Sequence, residues 1–219
     1  MARSNVTIKL LETDQQIVDK ILLGLASQAN HRVTIAARKS MSGISDYVRG
    51  VILKTPEMVE LESGVLRGEF GLTPGKAAAA VEDIANRVGA SVTVKATRIT
   101  PSRTSGLQGC ITIFIQPVNF SNVIVSPQAI VRTEKGKQLD WLKWLLFEGD
   151  AIIIDNYEFR FKKGKGRSGL GTMAEVKSGV WRVPPAYAGT EDSNFITRAL
   201  QTDKSANAVA TILYTNMVY

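Results

Sequence analysis

The spacing of the apolar residues changes near the middle of the chain, and this change limits the fold more than any other feature. Up to Gly89 they recur every three or four residues, as on one face of an amphipathic helix. From Ser91 onward they first alternate with polar residues, as in a half-buried strand. The pattern predicts the α+β class: N-terminal helices, then a mixed, mainly antiparallel sheet with one or two further short helices.

The first helix is predicted to begin at Thr13, which forms a capping-box pattern with Gln16. A stripe of apolar residues at helical spacing, with most charged residues off it, extends this helix to about residue 39. The stripe consists of Ile17, Ile21, Leu22, Leu25, Ala29, Val33 and Ala36. The Met41-Ser42-Gly43 segment is expected to break the helix, with a shorter helix at about 45–54.

Two Thr-Pro pairs predict further helix starts, because Pro suits the first helical position and Thr suits the N-cap. Thr55-Pro56 begins a helix that ends at Gly64, and Thr73-Pro74 begins one that ends at Gly89. An almost wholly apolar segment at 138–147 predicts a buried short helix, and a last helix is expected at 190–200.

The alternating segments 91–98 and 110–116 are expected to pair as a hairpin across a polar loop. Segment 121–131 is ambiguous because Pro127 interrupts it. Asp155-Asn156 fits either a turn or a strand continuation. Further strands are expected at residues 151–154, 157–161, 173–176, 180–183 and 209–214.

The chain is predicted to form one α+β domain over residues 1–200, with a helical part at about 13–88 and a sheet-rich part at about 90–200. Residues 201–219 then form an extension. Because its 209–214 segment is apolar, the extension is expected to pack on its own domain or, the preferred interpretation, on a neighbouring molecule.

Composition argues against several classes of protein. One cysteine and one histidine leave no disulfide and almost no metal site, and no apolar segment reaches the length of a membrane helix. The N-terminus has no secretory-signal pattern. Cys110 opens an alternating segment and is expected to be a small core residue, while His31 is expected to be an ordinary helix residue. Two clusters of three carboxylates each are expected to be solvated: Glu57, Glu60 and Glu62, and Asp150, Asp155 and Glu158. We therefore predict no catalytic residues, no metal and no cofactor.

Positive charge is concentrated in one glycine-rich loop. The chain carries 27 Lys and Arg against 20 Asp and Glu, a net charge of +7. Five of the cations fall within eight residues: Arg160, Lys162, Lys163, Lys165 and Arg167. The loop also contains a G-x-G-x-x-G pattern. A phosphate-binding loop requires a helix to begin directly after it, and no helix signal follows this one. Two interpretations remain, a mobile hairpin loop and a basic finger that contacts DNA or an acidic partner.

Aromatic residues are concentrated in the C-terminal part of the chain. Core packing explains most of them. Stacking platforms for single-stranded nucleic acid are the main alternative, and an oligomer interface is the third. For contacts with another copy or a partner, we single out six residues: Trp141, Trp144, Phe147, Trp181, Ile212 and Tyr214.

Several segments resemble structural proteins of contractile-tailed bacteriophages. Residues 61–71, LESGVLRGEFG, are similar to a small residue–Gly–x–Leu–Arg segment of tail-completion and neck proteins. Five further segments occur in the order found in neck-type virion proteins. They are WLKWLLFEGD at 141–150, GRSG at 166–169, WRVPP at 181–185, GTED at 189–192 and NFITRAL at 194–200. Together these pieces span about two-thirds of the chain.

The resemblance implies a virion protein that is assembled in the host cytoplasm. It would be the subunit of a homo-oligomeric ring between the capsid portal and the tail. Its partners would be further copies of itself, other neck proteins, portal-adaptor and tail proteins, and DNA in the lumen, with no membrane. The alternative function is a nucleic-acid-binding module that uses the Arg160–Arg167 loop, and an enzyme is the third hypothesis.

Overall fold

The computed structural model describes residues 11–102, 104, 106–115, 120–132 and 136–218. Its first element is α1, a helix of 40 residues over Asp14–Leu53 and about 60 Å long. The predicted capping box is confirmed: the Thr13 hydroxyl accepts from the Gln16 amide at 3.3 Å, and the Thr13 amide donates to the Gln16 side chain at 2.8 Å.

The predicted break at 41–43 is wrong, because α1 runs through Gly43 without interruption. A glycine in a helix costs about 1 kcal/mol relative to alanine. The turns that follow bury Ile44, Val48 and Ile52 completely, and each such burial contributes about 1.5–3 kcal/mol. Glycine also allows a close contact here, because a Cβ at Gly43 would lie only 3.2 Å from the Ile212 side chain.

Three helices follow and build the main core against α1. They are α2 (Pro56–Ser63), α3 (Val65–Glu69) and α4 (Pro74–Ala90). The hydroxyls of Thr55 and Thr73 cap α2 and α4 as predicted, with Pro at the start of each helix. The apolar face of α4 is buried, including Ala77, Val81, Ile84, Ala85 and Val88.

The predicted hairpin is confirmed by β1 (Thr93–Ala96) and β4 (Ile111–Phe114), which pair antiparallel with Val94 opposite Ile113. Gln116, at the end of the predicted strand, lies outside the described residues. The connecting segment contains a second hairpin, of β2 (Thr100–Ser102) and β3 (Gly106–Gln108). This small hairpin is attached to α1, because the Asn30 amide bonds both the N–H and the C=O of Ile99.

The ambiguous segment after residue 120 forms three short elements: α5 (Ser121–Ile124), a 3-10 turn at Pro127–Ala129 and β5 (Val131–Arg132). β5 pairs with β6 (Gln138–Leu139), so the predicted helix at 138–147 is shortened to α6 (Trp141–Leu146). Five of the six α6 residues are buried, as its apolar composition predicts.

Two long strands, β7 (Ile154–Phe161) and β8 (Gly171–Trp181), form an antiparallel hairpin. Asp155-Asn156 is a continuation of β7, and the register shifts there because Asn156 adopts a left-handed conformation at φ 60°. The short strand expected at 173–176 and the first two residues of the one expected at 180–183 are parts of the single strand β8, and Arg182 and Val183 lie beyond its end. We call β7, β8 and their connecting loop, residues 162–170, the arm.

The C-terminal part consists of α7 (Phe195–Leu200) and α8 (Asp203–Val218). The predicted strand at 209–214 is wrong, because this segment lies in α8. The helix turns Val209 and Ile212 toward the core while its backbone groups bond to one another, whereas a strand there would need a partner edge. α8 packs on α1 of the same chain.

The α+β prediction is confirmed. Among the described residues the strands form four separate two-stranded antiparallel sheets. The core lies between the C-terminal half of α1, α2, α4 and the aromatic residues of α6 and β8. The domain boundaries, with a division near residue 200, remain a prediction.

Candidate functional site

The loop of the arm is folded back on itself by backbone hydrogen bonds. The amide of Lys162 donates to the carbonyl of Leu170 at 2.8 Å, and the amide of Gly164 donates to that of Gly169 at 2.8 Å. The amide of Gly171 donates to the carbonyl of Lys165 at 3.1 Å. These bonds give the loop one defined conformation at the end of the two strands.

Glycine is required within this loop. Gly166 has φ 69°, and a Cβ there would lie 1.9 Å from the Gly171 carbonyl oxygen. The glycine pattern therefore shapes a tight turn between two strands. β8 begins at Gly171, so a strand and not a helix follows the loop, and the strand–loop–helix geometry of a phosphate-binding loop is not formed here.

Arg167 attaches the loop to the rest of the molecule. Its Nε donates to the carbonyl of Gly71 at 2.7 Å, and its Nη1 donates to the carbonyl of Arg132. The loop end of the arm is also seated on α3, where a Cβ on Gly68 would lie 2.9 Å from the Phe159 ring. Arg167 is therefore a positioning residue, and two of its donors are engaged within its own chain.

The other four cations divide into one paired arginine and three open lysines. Arg160 is paired with Glu158 on β7, with Nε and Oε1 2.6 Å apart. Lys162, Lys163 and Lys165 are exposed, and within the described ranges no carboxylate lies within salt-bridge distance of their ammonium groups. We call these three residues the lysine cluster. Of the five predicted contact residues, these three present positive charge freely to a partner.

The tryptophans predicted to form an interface lie in the core. Trp141, Trp144 and Trp181 are at most 9% exposed, and they surround Phe70 with ring centroids 5.5 to 6.2 Å away. The Trp141 indole also donates to the carbonyl of Gln128 at 3.0 Å. A side chain covered on every side by its own chain cannot contact a partner. The interface prediction is therefore corrected for these three residues.

The remaining three interface residues differ in exposure. Phe147 is half-buried and packs edge-on against Phe120, with ring centroids 5.7 Å apart. Ile212 is half-buried against α1 near Gly43. Tyr214, on the outer side of α8, is 69% exposed. Tyr214 is therefore the member of this group that is open to a neighbour.

Several of the six carboxylates that are expected to be solvated have structural partners. Glu57 is buried and forms an ion pair with Arg198 of α7, which corrects the prediction that it is solvated. The Glu60 carboxylate accepts from the amide of Val65 at 2.7 Å, at the start of α3. Asp150 lies 3.5 Å from Arg182. The Glu57 pair borders an open cleft of about 770 Å³ between α1, α7 and α8.

Sequence reasoning missed Glu69, the last residue of α3. Burial raises the pKa of its carboxyl to about 7, and the nearby indole of Trp181 lowers this pKa only in part. The Oε2 atom of Glu69 and the Nε1 atom of Trp181 each lack a hydrogen-bond partner. No sequence pattern indicates this environment, because it is created by β8, more than a hundred residues away.

Cys110 is exposed, which corrects its prediction as a core residue. It lies just before β4, where its thiol accepts from the Thr97 hydroxyl at 3.2 Å. Hydrogen bonds from Thr97 and, secondarily, Thr112 lower the pKa of this thiol. His31 is exposed on α1.

The described residues contain neither a candidate metal site nor a candidate membrane span. No group of three or more His, Cys, Asp or Glu side chains is placed to hold a metal ion, and no helix combines the length and apolar character that crossing a membrane requires.

Comparison with known proteins gave no relative: the chain matches no family model, and no curated protein or solved structure is significantly similar to it.

Proposed function

We propose that this chain is a structural subunit of the virion of a tailed phage, located in the neck or tail-completion region. In this proposal copies of the chain form a ring that joins the capsid portal to the tail. The protein acts through contacts with copies of itself and with adjoining proteins, and it makes or breaks no covalent bond. The resemblance of residues 61–71 and of five later segments to neck-type proteins supports the location.

One observation carries the self-assembly part of the proposal: large apolar side chains are uncovered on three separate elements. Ile21 of α1 is 55% exposed, Phe161 of the arm is 60% exposed and Tyr214 of α8 is 69% exposed. A ring subunit contacts its two neighbours through different surfaces and needs further surfaces for the proteins above and below. Separate apolar areas on one chain match that requirement, because each becomes buried only in an assembly.

The arm suits a contact with a polyanion in such an assembly. The lysine cluster lies at the end of two long strands, held in place by Arg167 and by the contact of Phe159 with α3. DNA in the lumen or an acidic surface of an adjoining protein would meet three open ammonium groups there.

The experiment that tests the proposal is native mass spectrometry of the purified chain, alone and mixed with portal and tail components, together with electron microscopy of the mixture. We expect rings of one defined copy number that co-purify with these components. A chain that remains monomeric in every mixture and never enters particles contradicts the proposal.

The second candidate function is a nucleic-acid-binding module that uses the lysine cluster. It predicts DNA binding that weakens steeply between about 50 and 200 mM salt, since each phosphate contact releases counterions. The triple variant Lys162→Ala, Lys163→Ala, Lys165→Ala should lose this binding, with Lys20→Ala, Lys54→Ala, Lys76→Ala as a charge-matched control. For a ring subunit the triple variant should still assemble. Arg160 and Arg167 weigh against this candidate, because both are engaged within the chain.

A further inference from the structure

The N-terminal half of α1 carries a series of exposed residues with the spacing of a coiled coil. Successive members are four and three residues apart in alternation, which places them along one line of the helix. We call this series the seam; it consists of Asp14, Val18, Ile21, Leu25, Gln28, Arg32 and Ile35. All seven are exposed, and the three central apolar side chains are 46 to 55% accessible.

The seam is uncovered because the element that covers the rest of α1 ends too early. α8 has 16 residues, about 24 Å, and it runs along α1 from near Tyr47 past Gly43. The β2–β3 hairpin lies on a different side of α1, where Asn30 holds it. The seam lies on the side of α1 away from the hairpin and N-terminal to the part that α8 covers. It leaves a line of about 30 Å open to another helix.

The charges at the two ends of the seam are opposite and self-complementary. Asp14 lies at its start and Arg32 near its end. In an antiparallel pair of two identical seams, Asp14 of one copy faces Arg32 of the other, and Ile21 faces Leu25. A parallel pair would instead place Asp14 against Asp14 and Arg32 against Arg32, and like charges across a helix pair are destabilising.

We propose that the N-terminal half of α1 pairs with the same segment of a second copy of this chain, as a short antiparallel two-stranded coiled coil. The register that aligns both charge pairs also places Val18 against Gln28 and brings Ile21 and Leu25 of both copies together at the centre. The helix is already formed in each copy, since Thr13 caps it and its C-terminal half is in the core. Pairing therefore orders only side chains, which keeps the entropic cost low.

This pair extends the proposed function and does not rest on it. A two-fold contact uses the same surface on both copies and closes on itself, whereas a ring needs two different surfaces. The contacts between neighbouring subunits of the ring would then be made by the arm and α8. The seam would join subunits in pairs, either in the free protein or between two rings.

The first test is the mass of the full chain in solution, measured by analytical ultracentrifugation from about 1 to 100 µM, a range that spans a micromolar Kd. We expect a monomer–dimer equilibrium. The double variant Ile21→Lys, Leu25→Lys should raise the dimer Kd by more than about 100-fold, because it places four ammonium groups at the centre of the pair. Leu23→Lys is the matched control: Leu23 is 59% exposed on the opposite side of the same turn, and its variant should dimerise normally.

A charge exchange tests the orientation. Asp14→Lys and Arg32→Glu should each weaken the dimer about 3- to 10-fold, and the combination of both should restore it, because the pairs become Lys–Glu in the antiparallel arrangement. In a parallel pair the combined variant would again oppose like charges and would not recover. Circular dichroism of every variant checks that α1 remains helical.

A wild-type chain that stays monomeric at about 100 µM overturns the proposal. So does a dimer that the Ile21, Leu25 double variant leaves intact, or a charge exchange without recovery. These failures are distinguishable from failure of the proposed function, since a monomeric free chain that still enters phage particles removes the pair and leaves the neck assignment standing.

Discussion

The two halves of α1 belong to one regular helix with a similar supply of apolar residues, yet much less of the N-terminal half is covered by other elements. In the C-terminal half, Ile44, Val48 and Ile52 are fully buried. In the N-terminal half, Ile21 and Leu25 are about half exposed. The difference comes from the neighbours, since α4, α7 and α8 pack against the C-terminal half. An amphipathic pattern therefore indicates that a helix has an apolar face, but it does not indicate what covers that face.

The largest expected effect comes from shortening one isoleucine in each half. Ile44→Ala should lower the free energy of unfolding by about 2–5 kcal/mol, because it leaves a cavity in the core. Ile21→Ala should change it by less than about 0.5 kcal/mol, as exposed positions usually do. Urea denaturation at sub-micromolar protein measures both. Equal losses for the two variants would contradict the division of α1 into a covered and an uncovered half.

The second largest expected effect is a difference in stability between substitutions at two glycines of α1, Gly43 and Gly24. A Cβ at Gly43 would meet the Ile212 side chain at 3.2 Å, whereas a Cβ at Gly24 would meet nothing within 4 Å. Gly43→Leu should destabilise the chain by about 1–3 kcal/mol through overpacking against α8. Gly24→Leu should be neutral or stabilising by up to about 1 kcal/mol, because leucine favours the helix more than glycine does. Stabilisation by both substitutions would show that α8 does not pack closely on α1.

The smallest expected effect is a pH dependence of stability that is caused by the partly buried carboxyl group of Glu69. The pKa of Glu69 is about 7 when folded and 4.5 as its ordinary value, so the folded chain holds a proton there that the unfolded chain has released. The contribution of Glu69 to stability should be fully present below pH 4.5 and should be lost as the pH rises through about 7. For a fully buried group the free energy of unfolding would fall by about 3 kcal/mol over this pH range. Because Glu69 is partly exposed, we expect a loss of about 1–2 kcal/mol.

Glu69→Gln should remove this pH-dependent loss and stabilise the chain at pH 8, since an amide of the same shape carries no charge. Glu62→Gln is the matched control, because Glu62 is exposed on the neighbouring helix α2. Urea denaturation at pH 5 and at pH 8 measures the difference. A pH profile that Glu69→Gln leaves unchanged would mean that another group titrates in this window.

Local signals in the sequence were sufficient for most element starts. The hydroxyls of Thr13, Thr55 and Thr73 cap their helices because a cap depends on residues within one turn. The β1–β4 pairing also follows from alternation alone. The segment at 209–214 was mistaken for a strand because a short apolar run fits either structure, and only the presence of α1 beside it decides.

The candidate site was predicted only in part. The five cations of the loop were identified by their density, but their roles depend on distant groups: Gly71 and Arg132 provide the carbonyls that hold Arg167. The interface prediction is wrong for Trp141 and Trp181, because an apolar residue in a sequence does not indicate whether its own chain or another covers it.

The sequence by itself determined the α+β class, the caps of the helices, the turn in the arm and its positive charge, because each depends on residues close together in the chain. The tertiary structure alone decided which half of α1 is covered, which cations of the arm remain open and which carboxyl group is buried. Those properties depend on packing between segments far apart in the chain, and packing removes water from some side chains and leaves it around others of the same kind.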